Sequence, residues 1–562
     1  MQDRNATRLE TLVRAAAQAR RAGDLTTALA IAGQAAQERL EHPLLLRVQA
    51  ESLAVAGRYP EAGQVLNRAL ALAPNDFYTI TDIGRVLVAE NRIAEAIEAF
   101  EAAVKIRPDF AIAWLELGSA REILGDDAAA RTAYERTREL VPNSTEALAA
   151  LASIAMRRGD VTQARALAEE ALRLDADHPG ANLVFASTDL DRGAVEAAHS
   201  RIAPLIERGV FDERQQQVAL GLLGDALDRL DRITDAFAAY TRMNEETVRV
   251  AAPRFDDGGR IESHLQFVQR LTRWFERQKP ADWREFPAAG AAGISPVRRH
   301  VFLLGYPRSG NTLVENVLAS LPGVCSLEER PTLTEADLAF LRDERALDQL
   351  VHLDPALAAR HREAYWQRVR AELPNVDGQV FVDMAPLNGI KLPLIFRLFP
   401  DARVVLCRRD PRDVVLSCFR RHFRVNPSTY QMAGLERAAR HYDAVMRLVA
   451  MHLDVLPLPV HVVEYAGLVA DFDATTQGLA DFVGVQWTEG ARDFGRTAAA
   501  REVRTVSAPQ VRRGLFDGTR QWERYREHLS PVLPLLEPWV TRFGYEPSVE
   551  PSAILSGSSH GS

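Results

Sequence analysis

The chain has 562 residues, of which 47% are hydrophobic, and a formal net charge of −8. This length predicts two or three domains, and the acidic balance argues against a partner that is a nucleic acid or an anionic membrane. The three cysteines predict neither a disulfide framework nor a zinc site and fit a reducing compartment. The N-terminus lacks an apolar core of signal-peptide length, and no run approaches the ~18 apolar residues of a membrane span, which together predict a cytoplasmic protein.

The N-terminal half repeats with a period of 34 residues. Alanine and glycine each recur in their own register, Asn91 fills the one missing glycine slot, and proline marks a third register. The positions are Ala28, Ala62, Ala96, Ala130, Ala164 and Ala198; Gly23, Gly57, Gly125, Gly159 and Gly193; and Pro74, Pro108 and Pro142.

Each repeat is predicted to form two short helices. Glycine or asparagine ends the first helix in a left-handed conformation, alanine lets the second helix approach closely, and proline starts the next unit, where no backbone N–H is needed. The pattern resembles the tetratricopeptide repeat (TPR) and predicts an all-α solenoid of about seven units over residues 9–245. Its concave face is interpreted either as a site for a peptide or protein, or as a scaffold without a specific ligand. A homodimer formed through the exposed repeat ends is compatible with the sequence.

Residues 246–297 are predicted to connect the two halves through a linking helix and a hinge. A Gly258-Gly259 break follows the repeats, an apolar helical pattern covers 265–275, and the segment 286–296 is rich in Pro, Ala and Gly.

The C-terminal half, residues 298–546, alternates strand-like and helical patterns. This alternation predicts an α/β domain with a parallel sheet flanked by helices, whose ligands bind at the carboxyl ends of the strands. The predicted strands are 300–304, 379–382, 403–407 and 460–464, and the predicted helices lie near 312–320, 359–372, 389–398, 411–423 and 435–452.

An apolar strand at 301–304 leads into the loop Gly-Tyr-Pro-Arg-Ser-Gly-Asn-Thr, and a helical pattern follows. Such a strand–loop–helix turns backbone N–H groups and a helix N-terminus toward an anion. The spacing matches the P-loop frame G-x-x-x-x-G, but Asn311 stands where a P-loop has lysine, and the positive charge has moved to Arg308. This difference disfavours an ordinary ATPase or kinase. The alternative is a tight turn that binds no ligand.

A second strand, 403–407, ends in the charged turn Arg408-Arg409-Asp410-Pro411. Asp410 is suited to cap the following helix, and Pro411 to be its first residue. Ser417 lies two turns into that helix, so Arg409 and Ser417 are predicted to converge on one phosphate. The alternative is an Arg–Asp network on the helix surface.

The loop Pro-Arg-Ser-Gly-Asn-Thr resembles the 5′-phosphosulfate loop of sulfotransferases that use 3′-phosphoadenosine-5′-phosphosulfate (PAPS), and the second motif resembles their 3′-phosphate motif. The whole chain resembles bacterial TPR sulfotransferases, and its C-terminal half is similar to tyrosylprotein sulfotransferases. Segments 382–388, 463–469 and 507–512 support the resemblance. It implies PAPS as co-substrate, 3′,5′-phosphoadenosine as product and no metal. The implied donor contacts are Arg308, Ser309, Gly310, Asn311, Thr312, Arg409, Ser417, Tyr465, Ser507, Gln510 and Arg512.

The resemblance also assigns catalytic residues. Glu329 lies 21 residues after Arg308, as the catalytic glutamate does in the tyrosylprotein enzymes, so Glu329 is the predicted base and Arg308 is predicted to stabilise the leaving group. Glu328 is a lesser candidate for the base, and both it and Arg330 are predicted to lie near the acceptor. The alternative for the two glutamates is a solvated acidic turn.

One departure from the family bears on catalysis. The family's Asp-Lys-x-Pro-Leu-Asn segment has a lysine that is thought to stabilise the leaving group, and Met384 stands in its place here. Lys391 is a candidate replacement. This departure leaves the alternative that the protein binds a nucleotide but does not catalyse transfer.

The function implied by the resemblance is transfer of a sulfuryl group from PAPS to an acceptor hydroxyl. The acceptor is expected on a peptide or protein recruited by the TPR arm, with tyrosine as the example. The alternatives are a carbohydrate or small phenolic acceptor, and a non-catalytic TPR scaffold. The tail, 547–562, is predicted to be disordered.

Overall fold

The computed structural model describes residues 2–256, 258–283, 295–501 and 507–548. The chain divides between Thr188 and Asp189 into two compact units, the N-terminal unit and the C-terminal unit. The segment 284–294 of the predicted hinge and residues 549–562 of the predicted tail lie outside the described residues. The predicted limits of the repeats, linker and catalytic domain stay predictions. Within the described part of the chain, no helix has the length and apolar character that a membrane span needs.

The N-terminal unit is built of helices, and from α1 to α10 each packs against its neighbour along the chain. The last of them crosses the point where the two units divide. The predicted helical solenoid is therefore confirmed. The helices are α1 Gln2–Arg21, α2 Leu25–Gln37, α3 Pro43–Val55, α4 Tyr59–Leu72, α5 Phe77–Ala89, α6 Ile93–Ile106, α7 Ala111–Ile123, α8 Asp127–Leu140, α9 Thr145–Arg158, α10 Val161–Leu174 and α11 Pro179–Asp191.

The repeat registers have the predicted structural roles, with one exception. The glycine register and Asn91, at φ 61°, have left-handed backbone, and the alanine register from Ala28 to Ala198 is buried. The prolines were wrongly placed at helix starts. Pro74 instead lies in the turn after α4, three residues before α5 begins, because proline is well suited to the turn that follows a helix C-terminus.

A glycine and an aromatic ring pack against each other within the repeats. A Cβ atom on Gly84 would lie 2.4 Å from the ring of Phe100, and one on Gly118 would lie 2.6 Å from the ring of Tyr134. The ring follows the glycine by sixteen residues in both cases. The two helices of a repeat can therefore approach closely only where the first lacks a side chain.

The C-terminal unit continues the helical pattern and then becomes an α/β domain. Its helices before the sheet are α12 Val195–Glu207, α13 Glu213–Arg229, α14 Ile233–Phe255 and α15 His264–Glu276. The strands are β1 Arg299–Gly305, β2 Val324–Glu328, β3 Val380–Met384, β4 Arg403–Arg408 and β5 Val460–Glu464. The other helices are α16 Asn311–Ala319, α17 Thr334–Phe340, α18 Glu344–Val351, α19 Pro355–Glu372, α20 Leu392–Leu398, α21 Pro411–Phe419, α22 Leu435–Val455, α23 Tyr465–Ala470, α24 Phe472–Val483, α25 Phe494–Ala500, α26 Ala508–Arg512, α27 Arg526–Leu529 and α28 Leu533–Arg542.

The five strands form a parallel sheet in the order β2-β3-β1-β4-β5, which confirms the predicted α/β domain. Leu303 of β1 pairs with Met384 of β3 and with Val405 of β4. β1 is buried on both faces from Val301 to Leu304, as expected for a central parallel strand covered by helices. The carboxyl ends of β1 and β4 are therefore adjacent, and the two charged turns predicted to bind anions follow them.

Some elements differ from the prediction. The strand β2 was missed, because it is a short edge strand whose side chains are only partly buried and whose sequence is not strongly apolar. The helix predicted near 389–398 is a 3₁₀ turn, Pro386–Lys391, followed by α20, which has Pro393 in its first turn. The helix predicted to reach 423 ends at Phe419.

Candidate active site

The loop between β1 and α16 has the backbone that an anion cradle needs. Arg308 has φ 72° and Gly310, at the start of α16, has φ 103°. The amide of Asn311 donates to the carbonyl of Tyr306 at 2.9 Å and closes the loop. The hydroxyl of Tyr306 lies 2.8 Å from Nδ1 of the buried His441. A left-handed arginine is unfavourable by itself, so the contacts around the loop hold it in this shape.

Arg308 connects the segments that the sequence singled out separately. Its Nε donates to the hydroxyl of Ser417 at 2.9 Å, and its Nη2 donates to Oε1 of Gln510 at 2.6 Å. Its Nη1 donates to the hydroxyl of Ser507. The first loop, the second motif and the 507–512 segment therefore meet at one guanidinium group.

A second arginine lies beside the first. Nη1 of Arg409 donates to the carbonyl of Arg308 at 3.1 Å, and Nη2 donates to the carbonyl of Gly518. The guanidinium lies 4.9 Å from the centroid of the Tyr465 ring. Among the described residues, the buried Nε of Arg409 has no hydrogen-bond partner. A buried donor without a partner is costly, and an anion in the adjacent cavity would satisfy it.

Arg308 lies near the positive charges of two other arginines. Burial lowers the pKa of Arg308 to about 9, and the neighbouring charges of Arg421 and Arg409 add to the effect. An arginine is ordinarily protonated far above that pH. A bound anion beside Arg308 would therefore be stabilised by these charges.

A cavity of about 450 Å³ lies against these arginines. The predicted donor contacts that line it are Arg308, Gly310, Thr312, Arg409, Ser417, Tyr465, Ser507 and Gln510. Ser309, Asn311 and Arg512 are not in its lining. This cavity is called the first cavity below.

A second cavity, of about 280 Å³, is also lined by residues of the loop. Arg308, Gly310, Thr312 and Ser507 line both cavities. Among the predicted residues, the second cavity is also lined by Asn311, Glu329 and Arg330. The loop between β1 and α16 therefore contributes to a wall that the two cavities share.

Glu329 is the predicted base, and it lies at the second cavity. It follows β2 with a left-handed φ of 49°, and its backbone N–H donates to the carbonyl of Met384 at 2.7 Å. The residue as a whole is exposed, although many protein atoms of the recess surround its carboxyl group. This burial raises the pKa of Glu329, and the negative charge of Glu315 adds to the effect. Glu328 lines neither cavity.

Neither Met384, which stands at the position of the family's lysine, nor Lys391, its candidate replacement, reaches the cavities. Met384 is fully buried in the core on one face of the sheet. Nζ of Lys391 donates to Oδ2 of Asp337 at 2.6 Å, and Lys391 lines neither cavity. In this conformation, Lys391 does not replace the family lysine.

The site contains residues that sequence reasoning missed. Arg421 and Phe516 line the first cavity, and Phe423 and Met432 line the second. Arg421 had a signal, since it follows the helix of the second motif within a basic pair. Asp225, also in the first cavity, is about eighty residues away from the loop in sequence, and no local pattern marked it.

Several solved structures are similar to part of this chain. MamA is 17% identical, with 33% of this chain and 96% of MamA covered and a TM-score of 0.25. A thermophilic TPR protein from Thermus thermophilus is 20% identical, with 32% of this chain and 99% of that protein covered and a TM-score of 0.28. The pilus biogenesis factor PilW is 16% identical, with 38% of this chain and 96% of PilW covered and a TM-score of 0.32.

Comparisons of sequence match both parts of the chain. An uncharacterized protein of Aquifex aeolicus is 28% identical over 252 residues, which are 43% of this chain and 33% of that protein. The matched part therefore spans about a third of the length of that relative. Residues 300–489 match the sulfotransferase family. TPR families match 13–77, 81–145, 124–179 and 155–220. The chain thus joins tetratricopeptide repeats in its N-terminal part to a domain of the sulfotransferase family in its C-terminal part.

Proposed function

We propose that this protein transfers a sulfuryl group from PAPS to an acceptor hydroxyl. The observation that carries the proposal is the pair of cavities that share Arg308 and the phosphate loop as a wall. One cavity is lined with arginines, as a polyanionic donor requires. The other holds a carboxylate with a raised pKa, as a base that deprotonates a hydroxyl requires.

The donor is assigned to the first cavity. Arg308, Arg409 and the N-terminus of α16 fit its phosphate groups, because charge-assisted bonds to guanidinium and backbone N–H groups suit phosphates. The buried Nε of Arg409 that lacks a partner among the described residues fits the same role. When bound, PAPS supplies the sulfuryl group and a good leaving group. A donor with a 3′-phosphate, which ATP lacks, fits the resemblance of Arg409 and Ser417 to the 3′-phosphate motif.

The acceptor is assigned to the second cavity. Glu329 takes the proton from the acceptor hydroxyl, and Arg308 and the loop N–H groups hold the phosphate that leaves. In the family that this chain resembles, a lysine helps to stabilise the leaving group. Here Met384 at that position has no charge, and Lys391 is paired with Asp337. Arg308 therefore stabilises the leaving group without help from a lysine.

The lining of the second cavity supports a phenolic acceptor. Phe423, Met432, Pro386 and Leu387 provide apolar surface for a ring, and Glu329 lies at the same recess. A tyrosine of a peptide or protein recruited through the repeats is therefore the proposed acceptor. A small phenol or a carbohydrate is the alternative substrate, and a TPR scaffold that binds nucleotide without turnover is the alternative function.

The proposal is tested first by calorimetric titration of the full chain with 3′,5′-phosphoadenosine, with ATP as the comparison ligand. We expect binding in the micromolar range for the bisphosphate, loss of this binding in Arg409→Ala, and no binding of ATP. The absence of bisphosphate binding to the unsubstituted protein would refute the donor assignment.

Transfer of radioactive sulfate from labelled PAPS to tyrosine peptides, simple phenols or oligosaccharides then identifies the acceptor class. No transfer to any of them, despite donor binding, would favour the scaffold.

A further inference from the structure

The segment between α21 and α22, residues 420–434, forms part of the second cavity. It contains a 3₁₀ turn, Thr429–Met432, near its end. A connection of this length has many accessible conformations unless contacts to the rest of the protein hold it in place. The contacts that fix the 420–434 segment therefore also fix this wall of the second cavity. The residues of the segment that line the cavity are Phe423, Asn426, Ser428, Thr429 and Met432.

One side chain of α14 bonds to both ends of this segment. Nδ2 of Asn244 donates to the carbonyl of Phe419 at 2.8 Å, and Oδ1 accepts from the backbone N–H of Gly434 at 3.1 Å. Nδ2 also donates to the carbonyl of Tyr240 in its own helix at 2.8 Å. Asn244 is 5% exposed, and both polar atoms of its side chain have partners. Asn244 thus joins the residue before the segment to the last residue of the segment.

These two bonds satisfy backbone groups that helices leave open. The last carbonyls of a helix and the N–H groups at the start of the next have no partner within their own helix. Phe419 is the last residue of α21, and Gly434 caps the start of α22 with φ 115°. Because a buried backbone group without a partner is costly, loss of the Asn244 amide would release both ends of the segment.

The same helix supports the segment at a third place. The ring of Phe255, at the end of α14, stacks on the ring of Tyr430 with a centroid distance of 5.5 Å. Tyr430 is buried and belongs to the 3₁₀ turn whose Met432 lines the second cavity. Helix α14 therefore contacts the segment at both ends and at its turn.

Other contacts hold the part of the segment that lines the first cavity. Arg420 donates to Asp228 at 2.6 Å and Arg421 donates to Asp225 at 2.9 Å, with both aspartates on α13. These four residues line the first cavity. Their ion pairs do not involve Asn244, so a change at Asn244 should act on the second cavity more than on the first. Asn244 and all of these residues belong to the C-terminal unit.

We propose that Asn244 is a positioning residue for the acceptor, because it fixes the 420–434 segment and with it one wall of the second cavity. The inference rests on the proposed function, which assigns the acceptor to this cavity. Asn244 lies within the predicted repeats, before the predicted sulfotransferase domain. Helices that precede the domain therefore take part in shaping the acceptor site.

Hydrogen exchange of the full chain, followed by mass spectrometry, tests the geometry without a ligand. In Asn244→Ala, amides of residues 423–433 should exchange about tenfold faster, because the segment opens locally more often. Amides of the loop 306–312 should keep their exchange rates. In the unsubstituted protein, the Gly434 amide should be protected, since its partner among the described residues is Oδ1 of Asn244.

Steady-state transfer of sulfate from PAPS to 4-nitrophenol tests the functional role. The KM for 4-nitrophenol should rise about tenfold in Asn244→Ala, as expected when a binding wall loses its fixed position. The turnover number and the affinity for 3′,5′-phosphoadenosine should change by less than about twofold. A folding defect would instead lower the concentration of active protein, and would reduce the turnover number and the stoichiometry of donor binding together.

Thr247→Val is the matched control. Thr247 lies one turn beyond Asn244 on α14 and is also buried, and its hydroxyl donates to the carbonyl of Met243 in the same helix at 2.9 Å. The substitution removes a buried hydrogen bond of α14 but leaves those of Asn244, so exchange and KM should be unchanged. Circular dichroism verifies folding of each variant. If Asn244→Ala fails to fold, protection of the Gly434 amide in the unsubstituted protein still tests the bond.

The outcomes separate this inference from the proposed function. Unchanged exchange in Asn244→Ala, or an unprotected Gly434 amide, would show that Asn244 does not fix the segment. Faster exchange with an unchanged KM would show that the segment does not position the acceptor. In these cases, donor binding and transfer by the unsubstituted protein leave the proposed function standing. If the unsubstituted protein binds no bisphosphate, or binds it without transfer to 4-nitrophenol, the proposed donor site or phenolic acceptor is wrong, and the acceptor role of Asn244 is refuted with it.

Discussion

At the scale of single residues, Arg308 and Glu329 have left-handed backbone conformations that side chains rarely adopt. Both residues line the second cavity. Strain of this kind persists only where surrounding contacts impose it, and it clusters at functional sites. The two residues assigned to catalysis by resemblance are thus also two of the few non-glycine residues with this backbone among those described.

Replacement of the proposed base tests its role directly. In Glu329→Gln, the turnover number should fall by about 10²–10⁴, because the amide cannot accept the proton of the acceptor hydroxyl. Binding of 3′,5′-phosphoadenosine should remain, since Glu329 does not line the first cavity. The measurements are sulfate transfer from PAPS and calorimetry on the same preparation.

Glu328→Gln is the control for this substitution. Glu328 precedes the proposed base by one residue but lines neither cavity, so transfer should be nearly unchanged. Full activity of Glu329→Gln, or loss only in Glu328→Gln, would show that the base is assigned to the wrong residue.

The raised pKa of Glu329 makes a second prediction. A base must be unprotonated, so kcat/KM should fall as the pH drops through the pKa of Glu329, and this midpoint should lie above that of an ordinary glutamate. The measurement is the pH profile of transfer to a phenolic acceptor. A midpoint at or below the ordinary value would contradict the desolvation that raises the pKa of this carboxyl group.

At the scale of elements, the contact between a glycine and a ring sets the distance between the paired helices of a repeat. The same contact occurs between α5 and α6, α7 and α8, and α13 and α14. Regular packing of this kind makes repeats stable through neighbour contacts. It also makes the stability of a repeat sensitive to a single methyl group.

Gly84→Ala should destabilise the protein by about 1–3 kcal/mol. The new Cβ would lie 2.4 Å from the ring of Phe100, and such overpacking exceeds the gain in helix propensity that alanine brings. The midpoint of urea unfolding, followed by far-UV circular dichroism, measures the change.

Gly63→Ala is the matched control within a neighbouring helix. Its Cβ would meet only the side chain of Val86 at 4.0 Å, an ordinary contact. We expect this substitution to be neutral or to stabilise by up to ~1 kcal/mol. Equal effects of the two substitutions would show that the ring contact does not limit the approach of the helices.

At the scale of the whole molecule, the two compact units divide inside the repeats and not at the start of the α/β domain. The helices α12 to α14 belong to the C-terminal unit, and α13 lines the first cavity. The first cavity, which is the proposed donor site, is therefore contained within the C-terminal unit, although the residues that line it come from two predicted domains.

This division predicts the results of truncation. A chain that begins at Pro179, the start of α11, should bind 3′,5′-phosphoadenosine within about twofold of the full chain, since every residue that lines the first cavity is retained. A chain that begins at Ser263, the cap of α15, should lose most of this binding because α13 is absent. Calorimetry on both fragments measures the difference. Equal binding by the two fragments would contradict a role for α13.

The sequence by itself determined the features that depend on local patterns. The period of 34 residues predicted the helical pairs, and the alternation of strands and helices predicted the parallel sheet. The two charged turns could be placed beside each other because carboxyl ends of neighbouring parallel strands meet at one edge. Arg308, Arg409 and Ser417 came from that reasoning, and the structure brings them together.

Only the tertiary structure decided the features that depend on contacts between distant segments. The edge strand β2, the shared wall of the two cavities and the pairing of Lys391 with Asp337 have no local signature. The contact of Asp225 with Arg421 joins residues 196 positions apart. Local periodicity reports which face of an element is buried, but not which element covers it. For this reason the repeats and the sheet could be predicted from the sequence, whereas the contribution of α13 to the wall of the first cavity could not.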